Sequence, residues 1–177
     1  MKIIFDTETT GLDYEYDEIL ELAIIDENEN VLFHEFFKPK RRKKWDEAEK
    51  INHISPSKVK DKKNILFYRE KILKILLNAD EFILYNASFD LNFINKNLKL
   101  SEEEREIIFN KKCVDVMEDF AIIYEDWNDY FEDYTWQKLI TAAAYYKYHW
   151  DEEAHGALSD CKATLFVRKK IEEELNI

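Results

Sequence analysis

The sequence predicts an α/β domain built on a mixed β-sheet. Three observations carry this. Apolar, strand-like segments crowd the chain as far as Phe37. Helix-period and strand-like segments alternate beyond Asn64. No internal repeat or linker rich in Gly, Pro or Ser divides the 177 residues, so one domain, 1–177, is expected.

Lys2 to Asp6 reads as a buried strand, and Ile19 to Asp26 and Val31 to Phe37 as two more, joined by the polar turn Glu27-Asn28-Glu29-Asn30. Asp46 to Lys63 is polar and punctuated by Ser55-Pro56-Ser57, which predicts a loop. Ile65 to Ala79 has the apolar spacing of an amphipathic helix, and Phe82 to Tyr85 reads as a short strand. Ser88 is the expected cap of a helix reaching about Leu98, and Ser101-Glu102-Glu103-Glu104 is a capping-box pattern that opens another. Cys113 to Val116 reads as a fifth strand, with a helix following into Tyr124. Glu125 to Tyr134, acidic and aromatic without a period, predicts a loop; Thr135 to Tyr148 and Ala157 to Leu175 read as helices.

A composition of 46% hydrophobic and 15% aromatic residues suits a packed core rather than disorder. There is no apolar run of membrane-spanning length and no leading basic-then-apolar signal segment, so no membrane association is expected. The two cysteines, Cys113 and Cys161, lack zinc-site spacing and indicate a reducing, cytoplasmic compartment. The net charge of −12 argues against broad, non-specific nucleic-acid binding. Carboxylates held for cations would account for part of that excess. The basic run Lys38-Pro39-Lys40-Arg41-Arg42-Lys43-Lys44 has two readings, a solvated loop or a phosphate-contacting edge.

The chemistry starts at the first strand, which runs into Asp6-Thr7-Glu8-Thr9-Thr10-Gly11. Alternate strand residues share a face, so Asp6 and Glu8 project side by side. Two carboxylates so placed resist joint ionisation, and a divalent cation removes the conflict by taking an oxygen from each. The chain has two glycines, Gly11 beside this pair and Gly156 beside Asp160, which predicts a positive φ or a close backbone approach at each. Asp90 follows a strand and a short polar turn and falls in the first turn of a helix, where the macrodipole alone would favour it. His155 and Asp160, five positions apart, do not share a face of one ideal helix. His155 is therefore expected on the loop before the helix that carries Asp160.

Asp-x-Glu-Thr-Thr-Gly, then Asn-Ala-x-Phe-Asp, then His-x(4)-Asp, in this order from Lys2 to about Leu175, resembles the DEDDh exonucleases. These are the DnaQ-like family, which includes the proofreading subunits of bacterial DNA polymerases and ribonuclease T. The resemblance implies a ribonuclease H-like fold, a five-stranded mixed sheet with helices on both faces. It implies four metal-binding carboxylates at Asp6, Glu8, Asp90 and Asp160, a general base at His155, and two divalent cations, Mg²⁺ or Mn²⁺. Thr9, Thr10, Gly11 and Leu12 match the surface for the terminal nucleotide, and Asn86 and Phe89 match further substrate-lining positions. Two departures stand out. Tyr85 occupies a position where the family commonly has His, and Asn52-His53 replaces His-Gly in the segment Ile51 to Ser55.

The implied activity is metal-dependent 3′→5′ hydrolysis of single-stranded nucleic acid, DNA over RNA, releasing nucleoside 5′-monophosphates by a two-metal mechanism. The expected partner is a single-stranded 3′ end; a polymerase or a second copy of the chain is a further candidate, although a free-standing enzyme is the simpler expectation. The competing reading is a catalytically silent acidic module that partners a polymerase or another nucleic-acid enzyme.

Overall fold

The computed structural model describes residues 1–150 and 156–176. Its central sheet consists of β1 (Lys2–Thr9), β2 (Ile19–Asp26), β3 (Val31–Phe36), β4 (Glu81–Leu84) and β5 (Lys112–Asp115), in the order β3-β2-β1-β4-β5. β1 pairs antiparallel with β2 and parallel with β4, so the sheet changes sense at its centre. Helices α1 (Asp46–Asn52), α2 (Pro56–Val59), α3 (Arg69–Asn78), α4 (Ala87–Leu98), α5 (Glu102–Phe109), α6 (Val116–Tyr124), α7 (Leu139–Tyr145) and α8 (Ala157–Leu175) complete it, with a small hairpin of β6 (Trp127–Asn128) and β7 (Asp133–Tyr134).

Strand alternation divides the core into two layers. Ile3, Phe5, Leu22, Ile24, Phe82 and Leu84 pack under α3, α4 and α5 on one face. Ile4, Ala23, Ile25 and Ile83 pack under α6, α7 and α8 on the other. Each large side chain so buried contributes about 1.5–3 kcal/mol relative to exposure. The same alternation carries forward along β1. Thr7 continues the Phe5 face, toward α4, whereas Asp6 and Glu8 continue the Ile4 face, toward α8. α8 lies across β1 and β2, and the buried Cys161 brings its Sγ to 3.8 Å from the Ile4 carbonyl and 3.6 Å from that of Ala23. Among the described residues no helix is long and apolar enough to cross a membrane.

Several elements differ from expectation for local reasons. β1 runs on to Thr9 because the partners Thr7–Leu22, Glu8–Glu21 and Thr9–Ile19 continue the pairing, with a bulge between Glu8 and Thr9. The stretch expected to be a loop contains α1, whose first turn carries Asp46, Glu47 and Glu49, favoured at a helix N-terminus. Trp45 anchors that helix by donating from Nε1 to the Ile54 carbonyl at 2.6 Å. The segment from Ile65 opens with a 3₁₀ turn before α3, β6 and β7 lie within the expected loop 125–134, and α7 is shorter than expected. The Ser101 capping box and the span of α8 match the sequence reading.

Neither glycine has a positive φ. Gly11 is required for close approach instead. A Cβ there would stand 2.7 Å from Asp17 Cγ. The Asp17 carboxylate cannot easily yield, since it accepts from Thr10 Oγ1 (2.9 Å) and Asp13 N (3.1 Å) and pairs with Arg42 Nε (2.9 Å). Gly11→Ala is expected to cost about 1–3 kcal/mol, as overpacking does, or roughly 3–10 °C in Tm for a chain of this size. Thermal unfolding followed by circular dichroism measures it; an unchanged Tm would mean that Asp17 moves freely. At Gly156 the nearest atom to an added Cβ is Ser159 Oγ at 3.6 Å, ordinary contact, so its glycine is not needed for space.

Candidate active site

β1 and β4 are parallel, and both deliver their carboxyl ends to one edge of the sheet, beside the antiparallel β2. Crevices at such ends are common ligand sites in α/β folds. Asp6, Glu8 and Asp160 meet here, each offering a carboxylate oxygen, with all three oxygens within 4.8 Å of one another. Asp160 reaches the strand residues because α8 begins directly above them, with its N–H bonded to the Gly156 carbonyl at 3.0 Å.

Asp90 comes from the opposite face of the sheet and is not part of that group of three. It is buried in the first turn of α4, where Thr7 Oγ1 donates to its Oδ1 at 2.7 Å. Thr7 thus links the two faces of β1, with Asp6 and Glu8 on one side and Asp90 on the other. His155 lies outside the described residues.

The electrostatics match a site short of positive charge. Burial pushes the Asp6 carboxyl well above its ordinary range, reinforced by Asp90, Asp160, Glu8 and Glu21. Burial also raises Glu8 to about 9, with Asp160 and Glu21 adding to the shift and a hydrogen bond from Asn52 opposing it. Asp90 rises to about 7 through burial, opposed by the Thr7 hydrogen bonds. Carboxylates this close cannot all ionise cheaply in a dry site without a cation. Their all-oxygen donor set suits a hard divalent ion such as Mg²⁺ or Mn²⁺. The nearby thiol of Cys161 is buried and pushed well up, which makes it a poor ligand.

On one side of the carboxylates lies a 560 Å³ cavity lined by Thr7 to Leu12, Lys44, Asn52 and Phe89. Leu12 is 85% exposed, so it is a free apolar contact rather than a core residue. Phe89 is half-buried; it packs on Phe93 with ring centroids 4.7 Å apart and turns its remaining surface to the cavity. The hydroxyls of Thr9 and Thr10 are engaged within the protein, donating to the Gly11 carbonyl (2.6 Å) and Asp17 Oδ1 (2.9 Å). They shape the turn, which leaves main chain and Leu12 for a ligand.

Sequence reasoning missed three supports. Asp115 accepts from the N–H groups of Asn86 (2.9 Å), Ala87 (2.8 Å) and Met117 (3.1 Å). It caps α6 and clamps the start of α4, where Asn86 sits at φ 64. This clamp, rather than Ser88, opens the helix that carries Asp90. An Asp directly before an apolar helical run was the available signal. Asn52 donates to the Thr9 carbonyl at 3.1 Å, locking the nucleotide-side turn. Glu21, the register partner of Glu8, is a further buried carboxylate and lies 2.6 Å from His34 Nε2.

The backbone of the basic run is tied down, while the side chains of Lys38, Lys40, Lys43 and Lys44 remain exposed. The backbone N–H groups of Lys40, Arg41 and Arg42 converge on the Glu18 carboxylate at 2.8, 2.7 and 2.9 Å. Arg41 donates to the Glu15 carbonyl at 3.0 Å, and Arg42 pairs with Asp17. The arginines hold the turn after β1 in place, and Arg42 and Lys44 border the cavity.

The family model described as Exonuclease (RNase_T) matches residues 3–167. The chain belongs to this exonuclease family. The exonuclease is 29% identical over 169 residues to the uncharacterized exonuclease CP81 of Escherichia phage 186, covering 94% of this chain and 85% of that relative. It is 38% identical over 104 residues to the DNA polymerase III epsilon subunit of Rickettsia prowazekii, covering 56% of this chain and 44% of the subunit. Among solved structures, exonuclease X in complex with 5′ overhanging duplex DNA superposes with a TM-score of 0.68 at 20% identity, covering 100% of this chain and 94% of that one. Exonuclease I from Methylocaldum szegediense superposes with a TM-score of 0.75 at 22% identity, covering 99% of this chain but 41% of that one. The fold is therefore that of the ribonuclease H-like exonucleases, and the chain spans less than half the length of the epsilon and exonuclease I relatives.

Proposed function

We propose that this exonuclease is a metal-dependent 3′→5′ enzyme that removes nucleoside 5′-monophosphates from single-stranded nucleic acid, with DNA preferred over RNA. The observation that supports this best is the convergence of Asp6, Glu8 and Asp160 at the carboxyl end of β1, between two cavities. Asp6, Glu8, Asp90 and Asp160 would hold two divalent cations, Mg²⁺ or Mn²⁺, with Asp90 approaching from the far face of the sheet. When bound, such ions activate water and shield the charge of the leaving oxygen. His155 is assigned the general base, taking the proton of the attacking water near neutral pH. Thr9 to Leu12 hold the terminal nucleotide, and Phe89 in the same cavity and Asn86 in the cavity on the other side of the carboxylates line the substrate further, with Leu12 and Phe89 supplying contacts that any base can meet.

The preference for DNA is supported by relatives whose structures hold DNA, namely exonuclease I of E. coli with a dA16 oligonucleotide and exonuclease X with overhanging duplex DNA. The likeness to epsilon subunits supports a polymerase as a candidate partner, with a second copy of the chain as another. A cytoplasmic setting fits the two free thiols, Cys113 and Cys161.

The test uses matched DNA and RNA oligonucleotides labelled at one end or the other, with Mn²⁺. A 5′ label should appear in a ladder shortening one nucleotide at a time, a 3′ label should be released first as mononucleotide, DNA should be consumed faster, and EDTA should stop both. Internal fragments, or early mononucleotide release from the 5′ end, would sink the proposal.

A further inference from the structure

The hairpin of β6 and β7 and its flanks carry five aromatic side chains that belong to no hydrophobic core among the described residues: Trp127, Tyr130, Phe131, Tyr134 and Trp136. Tyr130 is 86% exposed, Phe131 73%, Trp136 61% and Trp127 53%. Single exposed apolar residues are ordinary, but a contiguous patch of them marks an interaction surface. Phe131, Tyr134 and Trp136 also wall a 580 Å³ cavity, together with Asn128, Asp133 and Thr135. The patch is held in shape by its own bonds. Asn128 Oδ1 accepts from the N–H groups of Tyr130 (3.0 Å) and Phe131 (3.2 Å), and the Thr135 N–H donates to the Asp126 carbonyl at 2.7 Å. Trp127 packs edge-on against Tyr134 with ring centroids 5.3 Å apart. A surface ordered in this way loses little freedom when a ligand binds it.

The charge around these rings selects the occupant. Glu125, Asp126, Asp129, Glu132 and Asp133 are all exposed, and among the described residues none of them makes an ion pair. From Cys113 to Gln137 the chain holds no Lys, Arg or His. Such a surface repels a phosphate backbone. It attracts a cation twice, through the carboxylates and through the ring faces. We propose that the hairpin is a docking surface for an arginine-bearing basic segment of a partner protein, with a guanidinium entering the cavity between Phe131, Tyr134 and Trp136 and pairing with Asp133. Arginine suits the cavity better than lysine. Its planar, weakly hydrated guanidinium stacks on rings and meets a carboxylate with two N–H groups, whereas an ammonium is a compact, strongly hydrated charge. No residue of this cavity belongs to the carboxylate cluster, and docking here does not depend on the exonuclease chemistry.

Fluorescence anisotropy with the full chain in EDTA tests this, using labelled hexa-arginine, hexalysine and hexa-citrulline peptides and a labelled oligothymidylate. Hexa-arginine should bind more tightly than hexalysine at equal charge, and hexa-citrulline should not bind. Phe131→Ala combined with Trp136→Ala leaves the net charge unchanged and should weaken hexa-arginine about tenfold, within the range of a partly desolvated cation–π contact. Phe131→Leu combined with Trp136→Leu keeps the apolar bulk without a ring face and should weaken it to a similar extent. Asp133→Asn should weaken hexa-arginine and flatten its salt dependence more than Glu103→Gln, which removes one exposed charge from α5. Equal binding of hexa-arginine and hexalysine that neither ring replacement changes would reduce the effect to the overall negative charge of the chain and overturn the docking surface. An absence of hexa-arginine binding at low salt would overturn it as well. Tighter binding of the oligothymidylate than of hexa-arginine, lost when the rings are replaced, would assign the rings to nucleic acid and overturn it equally.

Discussion

Asp6→Asn is expected to abolish metal-dependent turnover and at the same time to raise the Tm of the metal-free protein. The loss should be on the order of 10³-fold or more, the scale seen when one member of a catalytic unit is removed. Asp6 is flanked by Glu8 and Asp160, and the charges of Asp90, Asp160, Glu8 and Glu21 all act against its ionisation. Replacing its carboxylate with a neutral amide of the same shape removes a cation ligand from the assembled site and a repulsive charge from the empty one. The two effects have opposite signs, which separates a functional cluster from a structural one. Full activity in the variant would end the metal-site assignment; a fall in Tm in EDTA at about pH 8 would mean that the carboxylate stabilises the fold.

The second large effect is a pH-dependent response to metal. In the folded protein Glu8 titrates near 9 and Asp90 near 7, both above their ordinary values of 4.5 and 3.8. A carboxyl raised on folding is protonated more readily in the folded state, so its contribution to stability is present at low pH. It is lost as pH rises from the unfolded-state value through the folded one. The metal-free protein should therefore lose stability from about pH 4 toward about pH 9 through these groups. A divalent cation binds their ionised forms and reverses that loss. Saturation at about 100 times Kd corresponds to about 2.7 kcal/mol, or roughly 5–10 °C in Tm. The shift caused by Mn²⁺ should be larger near pH 8.5 than near pH 5.5. Thermal unfolding with EDTA or Mn²⁺ at both pH values checks this, and a shift that vanishes or shrinks as pH rises contradicts it.

What could be read in the sequence was what depends on local periodicity. The alternation along β1 placed Asp6 and Glu8 on one face, and the glycine before α8 put Asp160 at the head of a helix, where the structure brings it to the strand pair. What could not be read were the links between distant segments. Thr7 joins Asp90 to β1 across 83 positions, and Asp115 caps α4 from 28 positions away; neither leaves a periodic trace. The basic run illustrates the same limit. Its charge was plain, but its ties to Glu18 and Asp17 follow from a fold that turns the segment back onto the β1–β2 connection. The scarcity of glycine points to Gly11 as a constrained position, and the constraint is the Asp17 carboxylate rather than a left-handed backbone. α1 was hidden because a single short helix with a polar surface has too few apolar positions to show a period.

The most direct test of the metal site is the anomalous scattering of Mn²⁺ in crystals of the wild-type protein grown or soaked with the ion. The expected result is a strong anomalous peak within coordination distance of the carboxylate oxygens of Asp6, Glu8 and Asp160, absent from crystals of Asp6→Asn treated in the same way. A well-ordered wild-type site with these carboxylates in place and no peak between them at saturating Mn²⁺ would contradict it.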